Sequence, residues 1–216
     1  MATQLTPTDL DVEVRVPPPW PDRRVFVLLA VVVEGGLILL ALILGWLLDT
    51  PPFESWRWSG YDAARALLWT LPLLGGVALI YLWPVGPLRL LRDCCENFLR
   101  PLLRPLQSAD LLLFALLAGV GEEMFFRGVL QVWLTEQIGF WAALVLTSVL
   151  FGLTHPVSWT YAMAVALVGF YLGWLFHFTD NLLVVILIHG LYDWAVMIFL
   201  RSGPTPSLRT DGKAPE

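Results

Sequence analysis

Residues 111–133 read LLLFALLAGVGEEMFFRGVLQVW, an apolar run interrupted near its middle by Glu122, Glu123 and Arg127. A hydrocarbon core about 30 Å thick takes about 20 apolar residues of helix to cross. Glu122 lies about eleven residues into the run, roughly 17 Å along a helix and so near the middle of a bilayer. A charged group at that depth costs at least about 2–3 kcal/mol. It persists where it faces a protein interior or a watery cavity. The stretch therefore predicts a membrane helix that turns its ionisable face inward, with a polar cavity inside a bundle.

The rest of the chain agrees with that solvent. Of its 216 residues, 57% are hydrophobic and 14% charged, with a mean hydropathy of +0.71; a soluble domain carries about 25% charge. Six apolar segments, at about 25–48, 61–83, 111–133, 140–155, 161–178 and 182–200, approach spanning length. Between the second and third, residues 84–108 mix leucines with arginines, as a helix lying in the interface does. The expected fold is all-α: a polytopic membrane helix bundle of about six transmembrane helices plus one interfacial helix. Residues 1–24 form a polar cytoplasmic arm, 25–200 the membrane-embedded domain with its motifs in 111–200, and 201–216 a disordered tail. The first run shows no small-residue cleavage pattern, so it reads as an anchor rather than a removable signal.

Basic residues orient the bundle. With the N-terminus inside, Arg15, Arg23, Arg24, Arg89, Arg92, Arg100, Arg104, Arg201, Arg209 and Lys213 all fall on inner segments. Arg57 and Arg65 fall outside and Arg127 within a span. An excess of Lys and Arg marks cytoplasmic segments, so both termini are expected to be cytoplasmic. Trp20, Trp56, Trp58, Trp83 and Trp133 sit near span ends as interfacial anchors. The net charge of −5 comes with no basic patch, which argues against a nucleic-acid partner. Cys94 and Cys95 are adjacent and read as ordinary thiols. A single lysine beside twelve arginines hints at a GC-rich, bacterial source, hence a bacterial plasma membrane.

Helical spacing then groups the polar residues. Glu123 and Arg127 are four apart and share a face, whereas Glu122 points about 100° away. His189 and Asp193 repeat that spacing in the last span, and Phe151 and His155 in the fourth. Converging faces would put carboxylates and imidazoles around one cavity. Blander readings stand beside this: an interhelical Glu–Arg lock, an interfacial His155, and a His189–Asp193 clasp between spans. A transporter or proton relay would use the same groups, although no inverted repeat or matched pair of broken helices is present. His177, beside Asp180 and Asn181, is expected to face water in an outer turn. Glu34 is a buried carboxylate outside the motifs, expected to line the cavity or to bond a neighbouring helix and without an assigned role, and the glycines of EGG at 34–36 are expected to let another helix approach.

Three short motifs appear in order on the late spans: EEMFFR (E-E-x-x-x-R), FGLTH (F-x-x-x-H) and HGLYD (close to H-x-x-x-N). Together they resemble the CPBP family, also called ABI, of intramembrane endopeptidases, which includes the type II CAAX prenyl proteases. The resemblance implies hydrolysis of a peptide bond in a membrane-anchored or lipid-proximal peptide, with the lipid bilayer as the other partner. Glu122 would be the general base, with a water held between it and His155. Glu123 and Arg127 would brace the site. His189 and the residue four on would stabilise the oxyanion. That residue is Asp193 where the family favours Asn; it could be protonated, fix the tautomer of His189, or join a metal sphere. No cofactor is expected to be required. Glu122, His155, His189 and Asp193 are chemically adequate zinc ligands, but H-E-x-x-H is missing.

Overall fold

The structure, a computed structural model, describes residues 22–203; the arm at 1–24 lies almost wholly outside these residues, as does nearly all of the tail at 201–216. Within them the secondary structure is helical and no strand is present. The long helices are α1 (Arg23–Leu47), α2 (Gly60–Leu82), α5 (Ser108–Glu123), α7 (Phe140–Leu153), α8 (Trp159–Thr179) and α9 (Leu182–Ser202), with α3 (Pro87–Cys94), α4 (Arg100–Leu103) and α6 (Val132–Ile138) short. Two π-helical segments, Cys95–Leu99 and Met124–Gln131, join α3 to α4 and α5 to α6.

Helix limits follow local chemistry. Asp22, Ser59, Ser158 and Asn181 cap α1, α2, α8 and α9, each accepting a hydrogen bond from a backbone N–H of the first turn. Gly139, at φ +82°, takes the positive dihedral that separates α6 from α7. Pro156 follows the end of α7, as the sequence predicts.

Four helices, α1, α2, α8 and α9, are long and apolar enough to cross a membrane by length and composition. They match the first, second, fifth and sixth expected segments. The other two differ. The third lies in a continuous helical rod from Ser108 to Ile138, in which Glu123 and Arg127 are buried and whose middle is π-helical. The fourth, α7, has 14 residues and rises only about 21 Å, short of a hydrocarbon core. Leu28, Val32, Leu39, Trp46, Leu67 and Leu82 are among the large apolar side chains left exposed. So much exposed apolar surface suits lipid, not water. The chain is an integral membrane protein.

The α5 rod and its π segment touch α1, α7, α8 and α9, which makes this rod the axis of the bundle. Salt bridges and caps tie the helix ends into two groups. Arg23 donates to Asp110 at 2.6 Å, and Arg201 to the Leu106 carbonyl and Ser108 hydroxyl, on one side. On the other, Arg57 pairs with Asp180, and Asn181 holds the Arg57 backbone.

The basic segment 87–103 folds against the bundle. Leu91 and Leu103 are buried while Leu90 is exposed. Tyr81 and Arg100 both donate to Glu96. Burial alone would raise the Glu96 carboxyl, but these hydrogen bonds outweigh it and hold it below the usual carboxylate range. Both cysteines are free, and burial pushes the Cys95 thiol up to about 12, so it is a poor nucleophile. Trp58 and Trp83 are exposed at helix ends, as anchors require.

One expectation fails at EGG. A Cβ on Gly35 or Gly36 would meet nothing within 4 Å, so neither mediates a close approach. That part belongs to Gly121, where a Cβ would come within 2.9 Å of the Glu34 carbonyl oxygen.

Candidate active site

All six expected site residues converge. Glu122 and Glu123 end α5, and Arg127 lies in the π segment that follows. His155 sits just past the end of α7, and His189 and Asp193 lie on α9.

The two neighbouring glutamates have opposite fates. Glu123 is fully buried, and its Oε1 accepts from Arg127 Nη1 at 2.8 Å and from His189 Nδ1 at 2.7 Å. Arg127, 1% exposed, also donates through Nη2 to the Gly169 carbonyl of α8 at 2.9 Å, and its guanidinium lies over the Phe151 ring at 4.4 Å. The Glu123–Arg127 pair that the spacing predicts is present, and its contacts reach further: they link the end of α5 to α8 and to an imidazole of α9.

Glu122 turns the other way. Its carboxylate stands 3.8 Å from His155 Nε2 and 3.9 Å from His189 Nε2. Both distances are too long for direct hydrogen bonds, and each leaves the space a bridging water spans. Glu122 Oε2 is buried without a hydrogen-bond partner.

The imidazoles are held differently. His155 Nδ1 lies 3.0 Å from the Phe151 carbonyl, so it donates there and leaves Nε2 as an acceptor toward Glu122. His189 has a carboxylate at each nitrogen: Glu123 at Nδ1 and Asp193 Oδ2 at 3.3 Å from Nε2. Glu123, not Asp193, therefore sets the orientation at Nδ1. A ring protonated on both nitrogens satisfies both contacts at once.

Glu122, His155, His189 and Asp193 line a cavity of about 900 Å³ that follows α9 from His189 past Asp193 to Leu200. The eleven helical steps from His189 to Leu200 make that stretch roughly 16 Å long. Its walls are otherwise mostly apolar, drawn from α1, α2, α8 and the 87–103 segment. His177 stays outside it, exposed and stacked on Phe140.

Of the two places the sequence left open for Glu34, the structure gives the cavity lining. Sequence reasoning missed another contributor. Gln131, four residues after Arg127, donates to the Gly173 carbonyl just as Arg127 does to Gly169. The signal was G-x-x-x-G at 169–173, a small-residue stripe that lets helices approach. A Cβ at Gly173 would come within 2.6 Å of Gln131 Oε1. Among the described residues no three His, Cys, Asp or Glu side chains are placed to hold one metal ion.

Comparison with known proteins adds one finding. Residues 104–195 match the family described as Type II CAAX prenyl endopeptidase Rce1-like. The match bears out the resemblance carried by the three motifs and contains all six site residues; α1, α2 and the 87–103 segment lie outside it. No curated protein and no solved structure matches the chain.

Proposed function

We propose, from the premise that residues 104–195 are a CAAX-type intramembrane protease domain, that the protein hydrolyses a peptide bond in a membrane-anchored or lipid-proximal peptide. The observation that carries this reading is the Glu122 carboxylate standing 3.8 and 3.9 Å from two imidazole nitrogens beside a cavity.

In this reading a water sits between Glu122 and His155. It donates one hydrogen toward His155 Nε2, which orients it, and the other to Glu122, which removes that proton as the water oxygen attacks the scissile carbonyl carbon. The carbonyl π electrons move to oxygen. A His189 protonated on both nitrogens and fixed by Glu123 supports the developing oxyanion; such preorganised support is usually the largest single contribution. As the tetrahedral intermediate collapses, the C–N bond breaks and Glu122 passes its proton to the leaving amine. The products are a carboxylic acid and an amine, with one water consumed. Asp193 accepts from His189 Nε2 rather than touching the oxyanion, a part an Asn oxygen also plays, which accommodates Asp where relatives favour Asn.

The bilayer placement follows the basic residues: both termini on the cytoplasmic side of a bacterial plasma membrane, with the 87–103 segment at that interface. The decisive assay uses purified protein in detergent with a panel of membrane-anchored peptides, comparing wild type with Glu122→Ala. Cleavage by the wild type alone is expected. Cleavage that survives the substitution removes the base assignment.

A further inference from the structure

α1 buries four residues, Ala30, Glu34, Ala41 and Gly45. Three are small and let backbones meet; Glu34 alone brings a functional group. It is 9% exposed, and its Oε2 is buried without a hydrogen-bond partner. An interhelical clasp would need that partner. Glu34 instead lines the same cavity as Glu122, His155, His189 and Asp193. The approach at Gly121, where a Cβ would meet the Glu34 carbonyl oxygen at 2.9 Å, seats it against the residue preceding Glu122.

Acids outnumber cations around this cavity. Its lining contains the carboxylates of Glu34, Glu122 and Asp193 and no Arg or Lys. His189, the imidazolium of the proposed mechanism, is held between Glu123 and Asp193, and Arg127 is behind the wall and engaged by Glu123 and the Gly169 carbonyl. Glu122 is needed as a base and Asp193 faces His189. Glu34 is left as a carboxylate whose counter-ion the protein does not supply. In a mostly apolar cavity the group that repays its burial is a cation brought by the ligand.

We propose that Glu34 forms a subsite for the cationic side chain, lysine or arginine, of the peptide substrate. The position beside Glu122 sets that side chain within about two residues of the scissile bond, since an extended peptide advances roughly 3.3–3.6 Å per residue. The proposal deepens the peptidase reading and rests on it for the word substrate, but not for binding. The apolar remainder of the cavity accepts the uncharged residues that flank the cation.

The test measures binding of Nα-hexanoyl-lysine amide and its uncharged isostere Nα-hexanoyl-norleucine amide to the full-length protein in detergent by calorimetry. Wild type is expected to bind the lysine amide at least about tenfold more tightly, and Glu34→Gln to bring the two within about twofold. No lysine preference in wild type, whether from equal affinities or from no binding of either, overturns the subsite; so does a preference that survives Glu34→Gln. If that variant does not fold, the wild-type comparison decides by itself. Parallel cleavage of anchored peptides carrying lysine or norleucine separates the two readings. Lysine-selective binding without any hydrolysis refutes the peptidase alone, and hydrolysis without lysine selection refutes the subsite alone.

Discussion

Glu123→Gln isolates the brace from the base. The substitution keeps shape and one carbonyl oxygen but removes the charge that Arg127 and His189 share at 2.8 and 2.7 Å. Arg127 is then a buried cation facing a neutral amide and the Gly169 carbonyl. Removing one partner of a buried ion pair costs about 3–5 kcal/mol. Because glutamine still accepts one hydrogen bond, the loss should fall near the lower end, about 3 kcal/mol. For a chain of this size each kcal/mol moves the melting temperature by about 2–4 °C, so the variant should melt about 6–12 °C below wild type. The assay is thermal unfolding in detergent followed by a thiol-reactive fluorophore, which reports exposure of the half-buried Cys94 and Cys95. Arg127→Met alone should also destabilise, by stranding Glu123. The double variant should cost less than the sum of the singles by at least about 1 kcal/mol, since neither charge is then left alone. A Glu123→Gln protein melting within about 2 °C of wild type, or strictly additive losses, would refute the brace.

Glu122→Ala and His155→Ala should abolish turnover; for Glu122→Ala the melting temperature should hold, because the buried Glu122 Oε2 has no partner to lose, and a large drop would mark a structural group. Asp193→Asn should keep substantial activity, since an amide still faces His189 Nε2; an inactive variant would mean that the negative charge itself is required. A chelator should leave hydrolysis unchanged, whereas full loss restored by zinc would demand a metal in the mechanism. Gly173→Ala places a methyl within 2.6 Å of Gln131 Oε1 and 2.7 Å of Leu144 Cδ1; overpacking of about 1–3 kcal/mol should lower the melting temperature, and an unchanged value would argue against the close packing of α8 on the Met124–Gln131 segment.

What the sequence made legible was local or periodic. Apolar length marks α1, α2, α8 and α9, since lipid imposes one dominant rule on a helix that faces it. The four-residue spacings placed Glu123 with Arg127 and His189 with Asp193, because neighbours on one helix face stay neighbours after folding. The π-helical turn at Met124–Gln131 was not legible. It is a shift from i→i+4 to i→i+5 pairing inside an unbroken helix, and such turns often mark functional sites without any composition cue. Equally hidden were contacts whose partner is a backbone carbonyl, as at Gly169 and Gly173. Any residue carries a carbonyl, and only the approach of a helix without Cβ atoms uncovers it. Glu34 stood out as a buried charge, but which helix it would face depends on packing that one strand of sequence does not encode.

The division between the two adjacent glutamates is what would make the proposed catalytic site physically tenable. A buried polar acceptor without a partner costs about 1–3 kcal/mol; Glu122 Oε2 and Glu34 Oε2 bear that condition, as does Glu123 Oε2, although the other oxygen of Glu123 accepts two hydrogen bonds. A fold tolerates it where neighbouring interactions over-determine the local geometry. Glu123 supplies that redundancy: it accepts from α9 through His189 and from Arg127, which in turn reaches α8. Because successive residues on a helix point about 100° apart, fixing Glu123 on the packed side leaves Glu122 turned toward the cavity. The strained carboxylate and its support are thus neighbours in sequence but opposite in environment. Stability and turnover should separate across one peptide bond: loss of Glu123 unfolds the protein earlier, while loss of Glu122 leaves it folded and inert. A protein in which both substitutions had the same effect on melting would not contain this arrangement.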